Sequence, residues 1–188
     1  MKRAALAMCT LALAGSLCAQ AMDRDTYKAH QARIQAEYLA AKARCKPLPG
    51  NERDMCQLRA VGARHVARAE LELQYKPGAE RVEKLSLAKA EASYALAKES
   101  CDELRGHQKD ICRKDARANL AAARAQAKAL RAGRESGPYS PEARRERSVA
   151  QRNEQDALYE AGKERCDTMA GAARDLCIAD LRKRFGKM

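Results

Sequence analysis

A pattern of one tyrosine and two cysteines occurs three times in this chain and limits what it can fold into. Each copy has a Tyr, a Cys seven residues later and a second Cys eleven residues after that. The three sets are Tyr38, Cys45 and Cys56; Tyr94, Cys101 and Cys112; and Tyr159, Cys166 and Cys177. Matches at fixed offsets indicate a structural repeat, so we expect one small unit that is built three times.

Further positions recur in every copy, with a Lys three residues before the first Cys, a Gly five after it and an Asp two before the second Cys. They are Lys42, Lys98 and Lys163; Gly50, Gly106 and Gly171; and Asp54, Asp110 and Asp175. We expect each Gly to end a helix in the left-handed conformation. We expect each Asp to lie in the first turn of the next helix, where a carboxylate accepts free N–H groups. Each Tyr is predicted to cover the seam between the two helices. A functional carboxylate set and ligand-stacking tyrosines are the alternatives.

The rest of the sequence predicts helices. Ala, Lys, Arg, Glu and Leu, which favour helices, are abundant, and no run of alternating β-branched residues occurs. In the middle repeat, Leu87, Tyr94 and Cys101 recur at a spacing of seven, which puts them on one helix face. We therefore predict an all-α fold of three tandem antiparallel helical hairpins with six helices.

A disulfide is predicted to staple each hairpin, since folding at the Gly brings its two cysteines level. The predicted pairs are Cys45–Cys56, Cys101–Cys112 and Cys166–Cys177. The hairpins are assigned to residues 22–76, 77–133 and 141–188, with a linker at 134–140. Ser140 before Pro141 is typical of a helix start.

Residues 1–21 have the organisation of a secretory signal peptide. Lys2 and Arg3 precede an apolar stretch, and Ala19-Gln20-Ala21 fits the small-x-small cleavage rule. We predict cleavage after Ala21, a periplasmic or extracellular location and no transmembrane span in the mature chain. An uncleaved membrane anchor and a lipidated Cys18 are the alternatives. An even set of six remaining cysteines agrees with export.

Motifs for several classes of chemistry are missing from the sequence. It contains no Cys-x-x-Cys and no Gly-x-Ser-x-Gly, and no His recurs with the cysteine repeat. His30, His65 and His107 occupy unrelated places, which disfavours a zinc site of the usual spacing. We predict a protein without enzymatic activity, cofactor or bound metal.

The charge of the chain has two interpretations. The whole chain carries +12, and removal of Lys2 and Arg3 with the signal peptide leaves +10. Basic residues cluster at 113–117, 124–134, 144–147 and 182–184. They form either a solvated face of alanine-rich helices or a surface with affinity for anionic envelope polymers. Such polymers include lipopolysaccharide phosphates, acidic glycans, anionic lipid and extracellular DNA. Specific nucleic-acid recognition is not predicted, because no aromatic platform or recognisable module is present.

The segment Tyr94-Ala-Leu-Ala-Lys-Glu-Ser-Cys101-Asp-Glu-Leu-Arg-Gly106, followed by Lys109-Asp110-Ile111-Cys112, resembles a group of small secreted proteobacterial proteins. They are rich in Ala and Lys and carry cysteine pairs of this kind, and some are labelled TolA-like cell-envelope proteins. The resemblance extends over all three repeats and implies secretion and helical repeats.

A shorter stretch, Arg53-Asp54-Met55-Cys56, is similar to LprI-type lysozyme inhibitors. The aromatic residues that precede this motif in that family are absent here, and a basic chain is a poor partner for a basic lysozyme.

These observations favour an exported, non-enzymatic envelope protein that acts as a helical scaffold or interaction module for a protein partner. A binder of anionic envelope polymers with low specificity is the alternative. A lysozyme-inhibitor-like protein is a third possibility.

Overall fold

Six α-helices follow one another in the computed structural model, which describes residues 22–187. They are α1 (Arg24–Cys45), α2 (Gly50–Tyr75), α3 (Ala79–Ser100), α4 (Gly106–Ser136), α5 (Pro141–Cys166) and α6 (Gly171–Phe185), with a 3₁₀ turn at Cys101–Glu103. The described residues contain no strand. The predicted fold class is confirmed: three antiparallel hairpins, each closed by its own disulfide. The predicted signal peptide lies outside the described residues.

Side-chain caps fix two of the helix starts. The Asp23 carboxylate accepts hydrogen bonds from the backbone N–H groups of Asp25 and Thr26, both at 2.8 Å, at the start of α1. The Ser140 hydroxyl accepts from the N–H of Ala143 at 3.0 Å, and Pro141 occupies the first position of α5. Both arrangements satisfy donors that have no partner within the helix.

The three hairpin turns share one backbone conformation. In each turn the third residue after the first Cys donates its N–H to that Cys carbonyl, at 3.2, 3.1 and 3.0 Å in chain order. An extended residue follows, and then a Gly with φ of +42°, +54° or +55°. The glycines are left-handed, as predicted, but they begin the second helix instead of ending the first. The correction has a simple cause, since the first helix already ends in the preceding turn at the Cys.

The helices lie side by side in a single row. Each described helix packs only against its neighbours in the chain, so α1 contacts α2 but not α3, and α2–α3 and α4–α5 join the hairpins. The α4–α5 pair is the most extensive, and α4 continues through Gly133 to Ser136 before the break at 137–140. Because the helix directions alternate, the three disulfide turns lie along the same edge of the row.

Alanine forms most of the interior. Ten of the sixteen residues that are buried within 22–187 are alanines, and the large buried aliphatic side chains there are Ile34, Leu71 and Leu181. Small side chains let helices approach closely but contribute little transfer free energy. The row therefore depends on close backbone approach and on the three disulfides, because it has no thick hydrophobic core.

Candidate binding surfaces

The disulfide turns contain most of the residues that the sequence singled out. The Cα atoms of the paired cysteines lie 5.5, 5.6 and 5.6 Å apart, within the usual range for a disulfide. The first cysteines of the pairs, Cys45, Cys101 and Cys166, are almost completely buried. The turns of the first two hairpins also contact each other, because the Asn51 amide donates a hydrogen bond to the Glu103 carboxylate.

The recurrent aspartates do not have the predicted position. Asp54, Asp110 and Asp175 are each the fifth residue of their helix and lie beyond the first turn. All three are exposed, and none of them caps a helix start. The helix begins at the Gly, four residues earlier, so these carboxylates are too far along the chain to reach the free N–H groups.

In two of the turns a different Asp, directly after the first Cys, forms an ion pair across the turn. Asp102, directly after Cys101, lies 2.9 Å from the Lys109 ammonium and also pairs with Arg113. The hydrogen bond from Lys109, together with Arg113, lowers the pKa of Asp102 below its usual range. In the third hairpin Asp167 pairs with Arg174 at 2.7 Å in the same way. The first hairpin has Lys46 at this position, so Arg53 lacks the carboxylate partner that Lys109 and Arg174 have in the other two hairpins.

In the first and third hairpins the recurrent Lys lies beside the ring of the recurrent Tyr on the same helix. The ammonium of Lys42 lies 6.0 Å from the Tyr38 ring centroid, and Lys163 lies 5.5 Å from that of Tyr159. The Glu160 carboxylate raises the pKa of Lys163 through a hydrogen bond. These distances are at the outer limit of a cation–π contact, which at an exposed site contributes about 0.5–1 kcal/mol.

The tyrosines also contact the second helix of their hairpins. The Arg64 guanidinium stacks over Tyr38, 4.1 Å from the ring centroid. Phe185 meets Tyr159 edge to face at 6.0 Å between centroids. Both rings therefore lie on the seam between two helices. Tyr94 also faces the second helix of its hairpin, where it lines an open hollow between α3 and α4.

That groove runs along α4. A hollow of about 510 Å³ between α3 and α4 is lined by Tyr94, Leu120 and Leu130, with Asn119 and Gln126 as polar members. It shares Asn119 with a hollow of about 630 Å³ beside the Cys101–Cys112 disulfide. It shares Gln126 and Leu130 with a cleft of about 700 Å³ between α4 and α5. We call these three connected hollows the α4 groove; each is in the size range of small-ligand sites.

Cationic side chains border the groove at the α4–α5 cleft. Arg134 of α4 and Arg147 of α5 line it beside an apolar floor that includes Leu130 and Ala150. Both arginines are exposed, and neither forms an ion pair within residues 22–187. Glu154 lies at the other end of the cleft. The cleft can thus accept an apolar group that carries an anion at the arginine end.

The first hairpin has a larger set of unpaired cations, distributed around both of its helices, which we call the hairpin 1 basic surface. It consists of Lys42, Arg44, Lys46, Arg53, Arg59, Arg64 and Arg68. Glu52 and Asp54 are the acidic residues in the same stretch, and the structure shows no ion pair for any of these cations within residues 22–187. The sequence signal for this surface is Lys46, which replaces the carboxylate of the other two turns.

The basic clusters that the sequence singled out are partly neutralised. Lys114 pairs with Glu164 at 2.6 Å, and Arg124 pairs with Glu91 at 3.1 Å. Arg131 lies between Glu83 and Glu135, at 3.1 and 2.8 Å. Three of these pairs join neighbouring helices, and the Arg131–Glu135 pair lies within α4. A run of basic residues in the sequence therefore does not by itself identify a free cationic surface.

One group of side chains has the ligand types of a metal site. His107, Asp110 and Glu164 have ligand atoms within 4.8 Å of one another. His107 and Asp110 are exposed, and the Lys114 ammonium already holds Glu164. A cation would have to displace that lysine, so the group supports no assignment to a metal.

Comparisons of the chain with protein families, with curated proteins and with solved structures gave no match. Within residues 22–187, no helix combines the length and the apolar character that crossing a bilayer requires. The function is therefore argued from the surfaces described above.

Proposed function

We propose that this protein is an exported, non-enzymatic helical scaffold that binds a protein partner in the α4 groove. The observation that supports this most directly is the single row of helices, whose faces are not covered by a second layer within the described residues. Leu130, on the groove floor, is 44% exposed, and Tyr94 and Leu120 extend the apolar lining. Repeat proteins built as rows of helices commonly bind partners on such extended surfaces.

Export is part of this proposal. The three disulfides support it, because such bonds persist in oxidising compartments. The small-x-small site before Met22 and the resemblance to secreted envelope proteins support it as well.

Site-specific photocrosslinking in the envelope of the producing cells tests the proposal. A photoreactive residue at Leu130 is expected to give one adduct of defined mass with a protein. The same residue at Ala63, which is exposed on α2 outside the groove, is expected to give none. No adduct from Leu130, or the same adducts from both positions, would contradict groove binding.

The hairpin 1 basic surface favours a second candidate function, the binding of anionic envelope polymers. Its cations have no described carboxylate partners, so a polyanion can pair with them without breaking existing ion pairs. Affinity from such contacts falls steeply as salt displaces the protein from the polymer.

Retention on immobilised lipopolysaccharide across a salt gradient tests this second function. Replacing Lys42, Arg44 and Lys46 with Gln is expected to lower the salt concentration at elution. A control variant loses the same charge at three ion-paired cations, Lys28, Lys84 and Arg184. Equal shifts for both variants would show that net charge, and not this surface, causes retention.

A further inference from the structure

The α4–α5 cleft of the α4 groove has opposite charges at its two ends. Arg147 lines it at one end and Glu154 at the other, both on α5. They are separated by nearly two helical turns, so they lie on the same face of α5 and about 10.5 Å apart along its axis. A ligand that matches both ends carries a negative and a positive group at about this separation.

The charged groups at both ends are free to bind a ligand. None of the ion pairs that α5 forms within residues 22–187 involves Arg147 or Glu154. Arg134 of α4 is the second cation at the arginine end, and it is exposed. The segment 131–147, which surrounds this end, contains five Arg and three Glu, so it remains net positive.

The acidic residues nearest to the arginine end are directed elsewhere. Glu135 pairs with Arg131 at 2.8 Å, and Glu142 accepts a hydrogen bond from a serine hydroxyl of α4. Glu146 directly precedes Arg147, so it lies about 100° away from it around α5. The arginine end therefore keeps its positive charge.

The lining between the two ends suits a peptide better than an acyl chain. Leu130 and Ala150 form an apolar floor, and the amides of Gln126 and Gln151 line the cleft from α4 and α5. Each amide can both donate and accept a hydrogen bond, as a peptide backbone does. An acyl chain would cover the floor but would leave both amides and Glu154 without a partner.

The length of the cleft fixes the spacing of charges in such a peptide. An extended chain advances about 3.3–3.5 Å per residue, so the distance from Arg147 to Glu154 corresponds to about three residues. The negative group is best supplied by a free C-terminus, because an α-carboxylate can lie directly beside an apolar side chain of the same residue. Capture of a C-terminal carboxylate is a recurrent mode of peptide recognition.

We propose that the protein partner of the α4 groove places its C-terminus in the α4–α5 cleft, an inference that rests on the function proposed above. The partner's α-carboxylate pairs with Arg134 and Arg147, whose guanidinium groups can bind a carboxylate through two hydrogen bonds. Its last side chain is apolar and packs on Leu130 and Ala150. A Lys or Arg three residues before the end pairs with Glu154. The partner class is thus a protein that ends in a basic residue, any two residues and an apolar residue.

Fluorescence polarisation with a defined peptide tests the role of the carboxylate. The probe is a fluorescein-labelled peptide that ends in Lys-Ala-Ala-Leu with a free carboxylate, and the same peptide with a C-terminal carboxamide is its control. We expect the carboxamide to bind at least about tenfold more weakly, because it cannot form charge-assisted hydrogen bonds to the arginines. No binding of the free-carboxylate probe, or equal binding of both peptides, would overturn the proposal.

Variants of α5 test whether Arg147 is the residue that reads the carboxylate. Arg147→Gln is expected to weaken the free-carboxylate probe at least about tenfold and to leave the carboxamide unchanged. Arg144→Gln removes the same charge from an exposed arginine of α5 that does not line the cleft. It is expected to leave the affinity for both peptides unchanged. Equal effects of the two variants would show that net charge causes the binding and would contradict the proposal.

Two competition measurements test the other end of the cleft and another occupant. Glu154→Gln is expected to weaken the probe but not a version with Ala in place of Lys, and equal effects on both would contradict the predicted basic residue. Dodecanoate is an anionic amphiphile without peptide groups. If it displaced the probe at a lower concentration than the unlabelled peptide does, the cleft would be a fatty-acid site and the proposal would be wrong.

Mapping the crosslink from Leu130 separates this proposal from the function on which it rests. We expect the photoreactive residue to label the last four residues of the partner. An adduct on an internal segment would overturn C-terminal recognition and leave binding in the groove intact. The absence of any adduct would instead contradict groove binding itself.

Discussion

At Gly62 the missing side chain lets α2 lie directly against α3. A Cβ there would stand 2.8 Å from the Ala92 Cβ, which is fixed to a helix backbone and cannot rotate away. Ala is favoured over Gly in a helix by about 1 kcal/mol, but overpacking costs about 1–3 kcal/mol. We expect Gly62→Ala to reduce the free energy of unfolding by up to about 2 kcal/mol in urea titrations.

Gly133 of α4 is the matched control for this substitution. A Cβ there would meet its nearest neighbour, the Pro138 Cα, at 3.8 Å, an ordinary contact. Gly133→Ala is therefore expected to stabilise the protein by about 0.5–1 kcal/mol. Equal stabilisation of both variants would contradict the inference that α2 and α3 approach too closely at Gly62 to accept a methyl group.

Asp102 makes the stability of the second disulfide turn depend on pH. Its pKa is lowered in the folded protein, chiefly by the hydrogen bond from Lys109. A carboxylate of this kind stabilises the fold above its unfolded pKa, and the stabilisation is lost as pH falls through the folded pKa. We expect Asp102→Asn to lower the melting temperature near pH 7, and we expect this difference to shrink as the pH falls through the lowered pKa of Asp102. A difference that persists in acid would assign the effect to packing.

The prediction that the recurrent aspartates accept hydrogen bonds at the helix starts was wrong. Asp54, Asp110 and Asp175 attract attention because they recur, but they are exposed and do not cap their helices. Asp102 and Asp167 pair across their turns, and the corresponding residue in the first repeat is Lys46. A pairing that is broken in one copy leaves no recurrent pattern, so three-dimensional contacts were needed to find it.

Among the elements, α6 depends most on its disulfide. It has one buried aliphatic residue, Leu181, and it packs only against α5 within the described residues. Removing a native disulfide costs about 2–5 kcal/mol. We expect replacement of Cys166 and Cys177 by Ala to release α6, so that its amide hydrogens exchange at rates close to those of an unfolded chain.

Removal of the disulfide in the second hairpin is the control for removal of the disulfide in the third. The helices α3 and α4 each have another neighbour, and Arg124 and Arg131 pair with acidic residues of α3 across their interface. Replacement of Cys101 and Cys112 by Ala is therefore expected to leave both helices protected from exchange, although the melting temperature falls. If the amide hydrogens of α3 or α4 exchanged as fast as those of α6, a second neighbouring helix would not be what protects them.

Helix existence and pairing were predictable from the sequence, because caps, turn residues and cysteine spacing are local signals. The start at Ser140 and all three disulfides are confirmed. The continuation of α4 through Gly133 was not predicted, since an isolated Gly is also compatible with a helix interior. Packing between hairpins was not predicted either, because alanine stripes carry little information about which helix covers them.

For the whole molecule, the single row implies that stability is coupled only between neighbours. In such an array each helix gains stability from itself and from one or two adjacent interfaces. A local defect then opens nearby helices and leaves distant ones protected. This behaviour would let the ends of the row respond to partners independently.

Two buried leucines at opposite ends of the row test this coupling. Leu71 of α2 is 4% exposed and Leu181 of α6 is 9% exposed. Replacement of either by Ala costs about 2–5 kcal/mol locally. In hydrogen exchange, Leu71→Ala is expected to reduce the protection of α1 and α2 and to leave α5 and α6 unchanged, with the reverse for Leu181→Ala. Uniform loss of protection in both variants would show one cooperative unit, since only global unfolding connects helices that share no interface.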